Sequence, residues 1–140
     1  MISQISDALA EVQIAATLAR LDVGSSGNAE VRVYSTTMPE AVGAHTDTPM
    51  STVQLPRPCG TISGGLLTLI PADAGLVMTS GIPRWAELVA ADGQVLHMGD
   101  VTDTEHDGFW KVSGADTPEG ETSPYFAAGG MLSLGSVVLS

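Results

Sequence analysis

The residues of this chain that could do chemistry are three histidines, one cysteine and sixteen acids. Asp100, Asp103, Glu105 and Asp107 fall within eight positions and offer hard oxygen ligands of the kind calcium takes. The run DVTDTEHDG has neither the ligand spacing of an EF-hand loop nor its closing Glu, so a solvated acidic loop is the expectation. His97 and His106 with a carboxylate would suit a transition metal, but no His-x-His pair is present, and His97 lies in a strand pattern with Val95 and Gly99 on its face. Ser63 sits in Gly-Thr-Ile-Ser-Gly, one place late for a nucleophile elbow, and reads as part of a Gly-Ser loop. Cys59 has Arg57 two residues before it, a cation able to lower a thiol pKa, yet no histidine close by. It reads as structural. There is no glycine-rich phosphate cradle. No catalytic residue, metal ligand or cofactor site is assigned.

Two further readings carry their own discriminators. Trp85, Phe109 and Trp110 could act as sugar-stacking platforms if exposed, or fill a core. A small hydrolase would need His45, His97 and His106 to meet carboxylates in one pocket.

The elements that must position these residues are mostly short strands. The exception is a helix over about 4–22: Ile5, Leu9, Val12 and Ala16 recur at helical spacing, and Ile14, Leu18 and Leu21 widen the stripe. Ser3 or Ser6 caps it, Asp7 favours its first turn, and Gly24 is placed to end it in a left-handed conformation. Its apolar face fits either the domain's own core or a partner subunit. Beyond the GSSGN loop, strands are expected at 29–35, 51–55, 65–70, 75–80, 84–91, 94–99, 108–113 and 129–140. Ala90–Val95, with Asp92-Gly93 at its centre, is the clearest hairpin. Residues 36–50 form a long loop with two prolines, and 100–121 is an acidic stretch. The organisation is an N-terminal helix over 1–24 and one domain over 25–140. The class is mainly β: an antiparallel β-sandwich or jelly roll.

Composition narrows the partners. The chain has 140 residues, a net charge of −11 and only 15% charged residues. Five Lys+Arg are too few to grip phosphates, so nucleic acid is not an expected partner. A single cysteine excludes an intramolecular disulfide and any zinc site with two thiolates. The N-terminus has no basic start and is not read as a secretory signal, and no stretch reaches the length of a membrane span.

The segment GIPRWAELVAADGQVLHMGD over 81–100 resembles a pattern of small tailed-bacteriophage proteins: a Trp-Ala strand, an Asp-Gly turn and a strand ending in Gly-Asp. The leading helix (ISDALAEVQIAATLARLD), EVRVYSTTMP and the terminal GGMLSLGSVVLS fall in the same order. On these motifs the chain is similar to capsid cement, or decoration, proteins. The resemblance implies a jelly-roll structural virion protein, made in the host cytoplasm, that sits as a homodimer on the outside of an icosahedral head. There it would bridge major capsid protein subunits, with no enzyme activity and no cofactor. The acidic stretch at 100–121 has no counterpart in that pattern. A carbohydrate- or receptor-binding β-sandwich of a phage tail or head-tail region is the alternative.

Overall fold

The structure is a computed structural model that describes residues 4, 6–24, 27–71 and 73–139. Ser3, Ile5, the Asp7 side chain, Ser25, Ser26 and Ser140 lie outside the described set.

Helix α1 spans Asp7–Leu21, and Ser6 caps it by accepting the Leu9 N–H at 3.2 Å. Its two apolar stripes part company. Ile14 and Leu21 are buried in the core with Leu18 packed beside them, whereas Val12 is 66% exposed and Leu9 and Ala16 also face outward. The core stripe is therefore the Ile14–Leu21 one, because the far end of the helix is the anchored end. The Leu21 carbonyl accepts the Ala91 N–H at 2.8 Å, and Arg20 reaches Asp92 at 3.1 Å. The helix stops without the expected left-handed residue. Asp22 is its C-cap at φ −91°, and the Asp22 carboxylate turns to accept the Cys59 N–H at 3.2 Å.

Ten strands follow where eight were expected: β1 (Glu30–Tyr34), β2 (Ser51–Gln54), β3 (Gly60–Ser63), β4 (Leu66–Leu69), β5 (Gly75–Leu76), β6 (Trp85–Val89), β7 (Val95–Thr102), β8 (Trp110–Ser113), β9 (Met131–Leu134) and β10 (Val137–Leu139). The Gly-Thr-Ile-Ser run is not a loop but β3, turned onto β4 by Gly64-Gly65, both at positive φ. The last apolar run breaks into β9 and β10 at Gly135-Ser136, which lets one stretch of chain serve two sheets.

The larger sheet has the order β2-β1-β6-β7-β8-β9-β5, antiparallel except at β7–β8, where Val101 and Thr102 run parallel to Trp110 and Lys111. Its ends nearly meet, through a Ser51–Val77 bridge and a bond from the Ser51 hydroxyl to the Leu76 carbonyl at 3.0 Å. Closure requires Gly75, because a Cβ there would sit 2.7 Å from the Thr52 carbonyl oxygen. The result is a barrel-like, mainly β fold with one N-terminal helix, in the class of β-sandwiches and jelly rolls.

Alternation sets the two faces. Val31, Val33, Val53, Ala86, Leu88, Trp110, Val112 and Leu132 point inward and form the core. A smaller sheet, β10-β4-β3, presents Leu67, Leu69 and Val137 to that core and packs against α1. The β6–β7 hairpin forms as expected, with the Ala90 N–H donating to the Gln94 carbonyl at 2.9 Å and Gly93 at φ +93°. Among the described residues, no helix is long and apolar enough to cross a membrane.

Candidate functional site

The densest cluster of chemically capable side chains lies on the outer face of β1 and β6, beneath the loop 36–49. Tyr34 ends β1, Trp85 opens β6, and the two are cross-strand partners. Their rings therefore meet, stacked with centroids 4.3 Å apart and 13° between planes. Glu87 lies two residues along β6 and shares that outer face, opposite Arg32. It is 1% exposed. The Tyr34 hydroxyl donates to Glu87 Oε1 at 2.5 Å, and His45 Nε2 sits 3.0 and 2.9 Å from the two carboxylate oxygens.

His45 comes from the loop. Its Nδ1 accepts the Asp47 N–H at 3.2 Å, so that nitrogen carries no proton and Nε2 is the one that donates to Glu87. The imidazole stands edge-on to both neighbours, 5.0 Å from Tyr34 and 5.2 Å from Trp85. At the rim, the Trp85 indole N–H donates to the Thr36 hydroxyl at 3.3 Å, and that hydroxyl donates to Asp47 at 2.9 Å. Arg32 is bound to Glu30 at 2.7 and 2.8 Å. Burial, and then the bond to Glu87, push the Tyr34 phenol well above its ordinary range. A buried carboxylate with this partner set fixes structure: its charge is met by two donors, and His45 fills the space a reactant would need.

The three histidines do not converge. His97 lies across from Leu88 on the inward side and packs on Phe109 at 4.6 Å and Trp110 at 6.0 Å, and burial lowers its pKa. His106 pairs with Asp103 at 2.6 Å in the acidic stretch. There the His106 bond, then the Thr117 hydroxyl at 2.7 Å, hold the Asp103 carboxyl down at about 2. Asp103, Glu105 and Asp116 line an open cleft of about 480 Å³. Among the described residues, no three His, Cys, Asp or Glu side chains are arranged to hold a metal ion.

Cys59 is buried, and burial with the Asp22 carboxylate beside it pushes the thiol up to about 12. Arg57 does not face it. That guanidinium instead donates to the Gly24 and Gly27 carbonyls at 3.3 Å each. Trp85 and Trp110 are both buried, so neither ring is free to stack on a sugar.

The outer face of the smaller sheet is the opposite kind of surface. Register places Thr61, Thr68 and Val138 in one row across β3, β4 and β10, with Ser63 beside Leu66 in the next. Leu66, Val138 and Ile70, which follows β4, are exposed, and none of these positions carries a charge. Leu9 and Val12 add an exposed stripe on α1, which packs against the same sheet. Comparison with models of known protein families, with curated proteins and with solved structures gives no match.

Sequence reasoning missed the Tyr34–His45–Glu87 cluster. The available signal was Glu87 itself, a lone acid within Trp-Ala-Glu-Leu-Val-Ala-Ala, a strand buried at every position. An acid in such a run requires a partner, although the sequence does not say which.

Proposed function

We propose that this chain is a structural subunit of a virus particle: a cement protein that binds the outside of an icosahedral head and bridges major capsid protein subunits, acting as a homodimer. The observation that carries the reading is the uncharged, exposed face of the β10-β4-β3 sheet. Antiparallel sheets that face water alternate apolar and polar residues, and their edges are commonly guarded by charge or proline. Here Leu66, Ile70 and Val138 stand among threonines and serine, and β3 and β10 end the sheet without a further strand among the described residues. A chain of net charge −11 can approach an acidic neighbour, including its own copy, most readily where it carries no acids.

The mechanism is mass action. A subunit that binds the assembled shell better than its free parts stabilises the shell by RT ln(1 + [L]/Kd), and several weak contacts on one particle combine through effective concentration. An open strand edge at β10 or β3 can add backbone hydrogen bonds to a neighbour's sheet.

The test is co-sedimentation with heads stripped of the chain. Binding is expected to survive about 1 M salt, where the Debye length falls to about 3 Å. Release at moderate salt would assign binding to the acidic stretch instead, and no binding at any salt would reject the cement role.

A further inference from the structure

The 36–49 loop is a strap with two polar holds on the barrel: Thr36 accepts the Trp85 indole N–H at its root, and His45 donates to Glu87 further along. Between Thr37 and Pro49, His45 is the only side chain hydrogen-bonded to a strand residue among the described residues. Nine of the strap's fourteen residues are exposed, so apolar burial adds little to that hold. Beyond its root at Thr36, the direct side-chain hold of the strap on the strands, among the described residues, is that imidazole.

The place that ring fits is built mainly by the strands, with Thr36 at the root of the strap accepting the Trp85 indole N–H. Tyr34 and Trp85 are fixed by the β1–β6 register, and Glu87 is held on the same face by the same pairing. The stacked Tyr34–Trp85 pair and the Glu87 carboxylate converge on one ring, which stands edge-on to both aromatics with its N–H on the carboxylate. That is the arrangement of a ligand site, with preorganised apolar walls and a convergent polar group. We propose that Tyr34, Trp85 and Glu87 form a binding socket for an imidazole, and that His45 is the ligand the chain supplies to itself.

The inference does not rest on the cement reading and stands or falls separately from it. Glu87 accepts the ring N–H. Tyr34 and Trp85, stacked on each other, give the ring one packed aromatic surface to lie against. The tether keeps His45 in competition with any free ligand, so free imidazole acts more weakly on the wild-type chain than on one without the plug.

The experiment is chemical complementation of His45→Ala, followed by thermal unfolding at pH 8 with added imidazole. Removing the plug is expected to lower the midpoint, and imidazole is expected to restore part of the loss with saturation at about 1–10 mM. Over that range the wild-type chain is expected to respond less than His45→Ala, and the His45→Ala, Glu87→Leu double variant not to respond. An absent or non-saturating response in His45→Ala would overturn the socket, as would an equal response in the wild type or the double variant. If His45→Ala does not fold alone, folding on addition of imidazole supports the socket, and failure to fold in either condition overturns it.

Discussion

Two sheet faces of this molecule had the same problem and met it differently. The outer face of β1–β6 carries Tyr34, Trp85 and Glu87, and the chain covers it with its own strap, so that two large rings and a carboxylate become interior. The outer face of β10-β4-β3 carries Leu66, Thr68, Ile70 and Val138, and among the described residues nothing covers it. The covered face is polar at its centre and has every bond of its carboxylate made internally. The bare face offers hydroxyls and apolar side chains, and no charge to keep a neighbour away. A face sealed from within serves the fold, and a face left open and neutral is where a partner loses least on binding.

That contrast can be broken by substitution. Trp85→Ala removes the ring that Tyr34 and His45 pack on and should cost about 3–5 kcal/mol, read by denaturant unfolding. A cost near zero would mean the strap side is not interior. Glu87→Ala should cost nearly as much, about 3 kcal/mol, because Tyr34 and His45 lose a buried partner together. Glu87→Leu, which refills the volume, should cost less, and the difference between the two isolates the packing contribution. On the bare face, Val138→Asp should change stability by no more than about 0.5 kcal/mol. The same variant should abolish co-sedimentation with heads, while Trp85→Ala, wherever it remains folded, should still bind. The reverse outcome would exchange the roles of the two faces.

Acid sharpens the contrast further. His97 has a folded pKa below its unfolded value of about 6.5, so its contribution is complete above that pH and is lost as pH falls below it. His97→Phe should flatten the stability profile in that window. Asp103, held at about 2, acts in the same direction at lower pH, its contribution complete above about pH 4 and lost between there and about pH 2. Asp103→Asn should remove that lower limb, since the carboxylate binds His106, Thr117 and the Glu105 N–H within the acidic stretch.

Much of the framework was legible because it is local. Glu30–Tyr34 alternates as a half-buried strand, Asp92-Gly93 makes its turn, and Ser6 caps its helix. The errors came where tertiary context decides. β3 reads as a glycine-serine loop because its pairing with β4 depends on a turn of two glycines. The outward stripe of α1 is as periodic as the inward one, and only the anchoring of its last turn on Ala91 and Asp92 tells them apart. The site was the least legible part. His45 and Glu87 are 42 positions apart, and nothing near either residue names the other. Their meeting is a product of strand register and strap length.

The central claim is that the uncharged β10-β4-β3 face is the face turned to a partner and the acidic stretch is turned to water. Cryo-electron microscopy of the particle that carries this chain measures it directly. The account predicts density for the chain on the outer shell, with Leu66, Ile70 and Val138 against capsid or a second copy and Asp103–Glu121 facing solvent. A shell without the chain, or a chain seated with its acidic stretch on the capsid and the small sheet bare, would contradict it.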